Sequence, residues 1–251
     1  MDWRARSVGL RVGGHRGSSG VAPENTLAAF EQSVRDGAEY VETDIRRTSD
    51  GHLVLLHDPD LDRTTTGSGP IASRPLAEVQ ALDAGSLFGP SFAGERVLTF
   101  GAFLEWVEGR APFGAALEVK ARGAGAEVAG MAWASPSRDN LAIYSFLEDE
   151  IVAAKEAAPD LPAILLLHLY DAPGEVLARI ERVGADGADV PWQWNARELL
   201  DGMRERGLLV GGGSSDGDQA ARELLDQGAD MIDTDKPADM IAAVRRLTSA
   251  G

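Results

Sequence analysis

Three of the four histidines, His15, His52 and His57, fall within residues 12–58, together with a close carboxylate pair, Glu42 and Asp44. An imidazole titrates near neutrality, so His15 and His57 can take or give a proton at physiological pH. Carboxylates two apart on an extended segment share one face, roughly 7 Å apart along the strand. Turned into a confined mouth, they repel each other unless a cation lies between them. Glu118 ends a later apolar run and supplies a third carboxylate. The pair alone reads as a solvated strand end; Glu118 at the matching place favours a metal site. The chain has no cysteine, so a metal must be held by oxygen or nitrogen, and carboxylates suit a hard divalent ion, Mg²⁺ or Ca²⁺. Arg16 and Lys120 place cations beside His15 and Glu118, where they can pair with these carboxylates, bind phosphate oxygens, or do both. Such a set suits phosphodiester cleavage, which needs a base for the attacking oxygen, an acid for the leaving alkoxide and positive charge for the phosphate. His52 follows a turn glycine and is expected at the surface. His168, within an apolar run, is expected to be structural or to support the site from behind.

Each of these groups ends a short apolar run, which is where a parallel α/β sheet presents its chemistry. Strands are expected at residues 8–12, 40–45, 53–56, 114–119, 141–145, 163–169, 185–190, 208–210 and 230–233, with helical stretches between them. Residues 40–45 alternate Tyr40, Glu42 and Asp44 on one face with Val41, Thr43 and Ile45 on the other. The run at 53–56 follows the Asp50-Gly51 turn and forms either a hairpin with the preceding strand or its bent continuation. Asn25 or Thr26 is the expected N-cap of the first helix. Gly37, Gly187 and Gly228, each in a Gly-Ala step before a strand, read as helix C-caps. The alternation of about eight strand–helix units predicts an α/β fold, a (β/α)8 TIM barrel. Residues 59–99 break the pattern and read as a small insertion after the second strand that rises over the site. One barrel domain over residues 1–251 is expected.

The chain has 251 residues, 44% of them hydrophobic, and a net charge of −16. Charge this negative argues against a nucleic-acid partner and against attraction to anionic membranes. No apolar run is long enough to span a bilayer and the first residues lack a signal-peptide core, so no stable membrane insertion and a cytoplasmic location are expected. The expected partner is a small-molecule phosphodiester.

The runs HRGSSGVAPENTLAAF, VETDIRRTSDGHLVLLHD, LDRTTTGSG and LEVK, with GADMIDTDKPADM near the end, resemble the glycerophosphodiester phosphodiesterase family. The resemblance implies a (β/α)8 barrel with an insertion after its second strand. It also implies hydrolysis of glycerophosphodiesters to glycerol 3-phosphate and an alcohol. Attack by metal-held water and attack by the substrate's own hydroxyl through a cyclic phosphate both suit the residue set. By this resemblance Glu42, Asp44 and Glu118 are metal ligands, His15 and His57 the acid/base pair, Arg16 and Lys120 phosphate contacts, and Glu24 a supporting group. The chain departs from the family after the seventh strand. There a Trp-Thr-x-Asn-like run, whose Trp lines the pocket, is replaced by Gly211-Gly212-Gly213-Ser214-Ser215. Residues 97–100 also lack the family's usual Pro before Thr. Trp192 and Trp194, after the sixth strand, are either a substitute pocket wall or rim packing. Specificity is therefore expected in the insertion and the glycine run. The rival readings are phospholipase C-like or lysophospholipase D-like cleavage of a lipid phosphodiester, and a non-catalytic phosphoester-binding barrel.

Overall fold

The computed structural model describes Trp3 and residues 9–249. Eight parallel strands close into a barrel: β1 (Arg11–Gly14), β2 (Tyr40–Arg47), β4 (Gly114–Val119), β5 (Leu141–Ser145), β6 (Ala163–Leu166), β7 (Gly187–Asp189), β8 (Leu209–Ser214) and β9 (Met231–Thr234). Closure comes from β1, which pairs with both β2 and β9. Strand β3 (Leu53–Leu55) stands outside the ring as a hairpin partner of β2, with Ile45 opposite Leu55 and Arg47 opposite Leu53. The helices α1 (Leu27–Asp36), α2 (Leu76–Ala81), α3 (Phe100–Glu108), α4 (Gly125–Ala134), α5 (Glu148–Ala157), α6 (Val176–Val183), α7 (Arg197–Glu205), α8 (Gly217–Gln227) and α9 (Pro237–Ser249) complete the chain order. All but α2 connect or follow barrel strands; α2 belongs to the excursion at residues 59–99. No helix among the described residues is long and apolar enough to cross a membrane.

Period-two alternation sorts the strand side chains into two apolar layers. Tyr40, Ala116, Tyr144, Ile164, Leu209 and Met231 fill the barrel interior, where Trp3 meets the Tyr40 ring edge-on at 5.0 Å. Val41, Ile45, Leu117, Ile143 and Leu165 pack outward against the helices. Thr26 is the cap of α1, accepting from the Ala29 N–H at 3.4 Å. The excursion has its own small core of Leu56, Leu61, Ile71, Val79, Ala84 and Val97.

Several sequence expectations shift at glycines. Val8 lies outside the described residues, and β1 runs on through Gly13 and Gly14. A Cβ at Gly13 would lie 2.3 Å from the Tyr40 ring, so this glycine permits strand packing and does not end the strand. Gly187 is not a helix cap: it opens β7, where a Cβ would stand 2.3 Å from the Leu209 carbonyl. The left-handed cap of α6 is Gly184, at φ 68°. Gly37 and Gly228 do cap α1 and α8 in that conformation. The glycine run at 211–213 is strand, with a bulge between Gly211 and Ser214. A Cβ on Gly212 would lie 2.2 Å from Leu224 of α8, itself 1% exposed. Gly212→Ala is therefore expected to cost about 1–3 kcal/mol by overpacking. The check is a lower urea midpoint at an unchanged slope of the unfolding free energy with denaturant.

Candidate active site

His15 directly follows β1, its N–H bonded to the Thr234 carbonyl at 2.9 Å. Its ring Nδ1 is 2.7 Å from Asp235 Oδ1, which also accepts from the Ser19 hydroxyl at 2.7 Å. This leaves Nε2 as the free ring nitrogen. His57 follows β3, and its Nδ1 lies 2.7 Å from Asp58 Oδ1. The two histidines do not follow adjacent strands: β2 separates β1, which His15 follows, from the β3 hairpin arm that carries His57. The hairpin carries His57 back to the barrel mouth, where the Arg46 side chain donates to its carbonyl at 2.7 Å.

Glu42 and Asp44 point inward from β2, and Glu118 on β4 sits in register with Asp44. One oxygen from each of the three lies within 4.8 Å of the others, and all three residues are buried. Burial and the neighbouring Asp44 push the Glu118 carboxyl up to about 7, against the pull of Lys120. Burial, Asp44 and Glu118 raise Glu42 well above the usual carboxylate range. Asp44 behaves oppositely: burial works against its charge, but Lys120, Arg16, His57 and the Asn25 amide together hold its pKa below normal. Lys120 Nζ is 2.7 Å from Glu118 Oε1 and 3.2 Å from Asp44 Oδ1. Glu42 Oε2 accepts the Arg16 N–H at 2.9 Å, whereas its buried Oε1 has no hydrogen-bond partner. Three crowded carboxylates with a buried, unsatisfied oxygen are a donor set for a hard divalent cation.

The loop from β1 to α1 is shaped to hold these groups. Arg16 and Asn25 both adopt positive φ, 56° and 57°, an unfavourable backbone for residues with side chains, offset here by their bonds. The Asn25 amide donates to Asp44 Oδ2 at 2.7 Å, and its Oδ1 accepts from Thr43 Oγ1 at 2.7 Å. Arg16 reaches Glu24 at 3.1 Å and Asp44 at 3.3 Å. Burial opposes the Arg16 charge, but Asp44, Glu24 and Glu42 hold its pKa above the ordinary value. Glu24 in turn accepts from Arg63 at 2.6 and 2.8 Å, and Arg63 binds Asp58 at 2.6 Å. A continuous ionic path therefore runs from Arg16 through Glu24, Arg63 and Asp58 to His57. Sequence reasoning placed Glu24 here but missed Arg63, Asn25, Asp58 and Asp235.

These groups face one cavity of about 360 Å³, lined by His15, Arg16, Glu42, His57, Glu118 and Lys120 on one side and by Phe146, Leu166, Leu167 and Leu169 on another. Asp189 and Asp233 also line it, both buried; burial raises Asp189 to about 6, and burial with Asp189 nearby raises Asp233 well above normal. Trp192 and Trp194 do not line the cavity. Pro191 and Gln193 do, while the two indoles brace loops, Trp192 on Ser215 Oγ and Trp194 on the Leu169 carbonyl, both at 2.9 Å. No described residue of 59–99 lines it either; the excursion reaches the site through Arg63. His52 is at the surface beside Asp50. His168 lies beyond the end of β6 and is exposed, not a core group.

The fold and this mouth define a barrel hydrolase of phosphate esters. A sequence model described as the glycerophosphoryl diester phosphodiesterase family matches residues 15–239. A glycerophosphodiester phosphodiesterase of Caldanaerobacter subterraneus subsp. tengcongensis is 32% identical over 239 residues, covering 92% of this chain and 96% of that one. The structure of an Oleispira antarctica phosphodiesterase, in complex with the product sn-glycerol-3-phosphate, superposes with a TM-score of 0.86 at 29% identity over 94% of this chain and 97% of that one. That of a glycerophosphodiester phosphodiesterase from Agrobacterium tumefaciens gives 0.81 at 30% identity over 93% and 99%. The chain belongs to the glycerophosphoryl diester phosphodiesterase family and is a phosphoric diester hydrolase.

Proposed function

We propose that this enzyme hydrolyses glycerophosphodiesters to glycerol 3-phosphate and an alcohol, with His15 and His57 as the acid/base pair and a divalent cation at Glu42, Asp44 and Glu118. The observation that carries this reading is the facing of two imidazoles, each oriented at Nδ1 by its own aspartate, onto one cavity with the carboxylate trio and two cations. Burial lowers the pKa of His57, although Asp44 and Asp58 oppose the shift, so its neutral form is present at neutral pH and suits a base. His57 takes the proton from the attacking oxygen as that oxygen bonds to phosphorus. His15 gives a proton to the alcohol oxygen as the phosphorus–oxygen bond breaks. Arg16 and Lys120, both held charged by the surrounding carboxylates, orient the phosphate and offset its charge. Bound Mg²⁺ or Ca²⁺ supplies Lewis-acid polarisation and charge neutralisation.

The test is a panel of glycerophosphocholine and glycerophosphoethanolamine with Mg²⁺ and Ca²⁺ supplied separately. Release of glycerol 3-phosphate and free alcohol in equal amounts is expected. Release of phosphocholine and glycerol instead, or no turnover with either ion, would overturn the assignment.

A further inference from the structure

The cavity wall built by β5, β6 and the loops after them carries Phe146, Leu166, Leu167 and Leu169, all apolar. It continues outward as a stack of rings. Phe146 lies against His168 at 4.3 Å and 14°, and His168 against Tyr170 at 4.8 Å and 12°. The outer end stands in the open, with Leu169 61% and Tyr170 82% exposed. Isolated exposed apolar residues are ordinary on a protein surface. This pair differs because it prolongs the lining of a catalytic cavity without a break. The loop is also held in place: the Leu169 carbonyl accepts from Trp194 Nε1 at 2.9 Å, and the Asp171 carboxylate accepts from the His168 N–H at 2.9 Å and pairs with Arg179 at 3.0 Å. Lys120 Nζ stands 5.9 Å from the Phe146 ring centre, so the wall begins where the phosphate-binding side ends.

We propose that this wall is the subsite for the leaving alcohol and that it selects alcohols bearing an aliphatic chain. This rests on the hydrolase reading above. Glycerol hydroxyls need hydrogen-bond partners, which the charged side supplies and the β5–β6 wall does not. An alkyl chain laid from the phosphate along Phe146 and Leu169 to Tyr170 loses apolar contact with water and leaves no polar group unsatisfied. The stack thus replaces, from neighbouring loops, the aromatic wall that the glycine run no longer provides.

The test compares kcat/KM for the methyl and hexyl esters of glycerol 3-phosphate, both as monomers in solution. The hexyl ester is expected to be favoured about tenfold, since each added methylene is only partly covered on an open wall. In a Leu169→Ser/Tyr170→Ser variant the preference should fall to about twofold or less. Tyr170→Phe should keep it, because the stack does not use the hydroxyl. Both side chains are mostly exposed, so the serine variant removes little core packing, and its melting temperature checks this. Equal kcat/KM for the two esters in the wild type, or an undiminished preference in the serine variant, would overturn the subsite. Absence of glycerol 3-phosphate from either ester would instead remove the hydrolase reading on which it rests.

Discussion

Replacing His15 with alanine is expected to lower kcat by about 10²–10⁴-fold with little change in KM. In the proposed roles the loss falls on kcat, because proton transfer to the departing alkoxide would occur only as the phosphorus–oxygen bond breaks, whereas Arg16 and Lys120 would hold the phosphate throughout. The fold should survive: the His15 side chain is 20% exposed, and its backbone bond to Thr234 does not depend on the ring. Asp235→Asn separates position from chemistry. It keeps the shape but turns the acceptor at Nδ1 into an ambiguous partner, so that the imidazole can take the wrong tautomer, and a loss of about tenfold or more in kcat is expected. Added imidazole should restore part of the turnover to His15→Ala but none to Asp235→Asn, where the ring is still in place. Full activity in His15→Ala would remove the acid role; a raised KM at unchanged kcat would make His15 a binding group instead.

How much of this was legible in the sequence depends on how far each residue's partner lies along the chain. The carboxylate trio was legible because strand alternation fixes the face of Glu42 and Asp44, and parallel pairing brings the end of the next barrel strand alongside. Asp235 was not, since its partner His15 is 220 residues away and nothing local marks the contact. Arg63 is five residues from Asp58, but its bond to Glu24 spans 39 residues and that of Asn25 to Asp44 spans 19, and no sequence pattern marks either. For His57 only its place just past an apolar run was legible, because the hydrophobic pattern of residues 53–56 cannot separate a hairpin arm from a bent continuation of the preceding strand. Glycine was the least legible residue. The same letter marks the left-handed caps at Gly37 and Gly228 and the close strand packing at Gly13, Gly187 and Gly212, and only the distant neighbours Tyr40, Leu209 and Leu224 tell the two apart. The tryptophans show the converse: their place after the sixth strand left Trp192 and Trp194 as either pocket wall or rim packing, and only the bonds of their indole N–H groups to loop acceptors decide for packing, while the apolar lining comes from Phe146 and Leu169.

Removal of divalent ions by a chelator is expected to abolish turnover and to leave a protein whose stability falls as pH rises through the range in which Glu118 loses its proton, a slope that bound metal removes. The sign follows from the carboxylates. Glu118 titrates at about 7 in the folded protein, above its ordinary value of 4.5 in an unfolded chain. Between those two values the folded state holds a proton that the unfolded state has lost, so folding stability drops with rising pH by about 1.4 kcal/mol per pH unit for each such proton. Glu42 is shifted the same way. Asp44, shifted downward, contributes stability that is lost only as pH falls below the usual carboxylate range, outside this window. A divalent cation competes with the proton for the same oxygens, so its binding strengthens as Glu118 and Glu42 ionise. The rise in melting temperature on adding Mg²⁺ or Ca²⁺ should therefore be small near about pH 5.5 and large near about pH 8. This comparison needs no substrate and so stands apart from catalysis. Glu118→Gln sharpens it, because glutamine carries no proton to lose: the metal-free variant should be more stable than the wild type at the higher pH and should gain less from added metal. An equal rise at both pH values, or an undiminished metal response in Glu118→Gln, would place the cation elsewhere and leave the trio as a proton-sharing cluster.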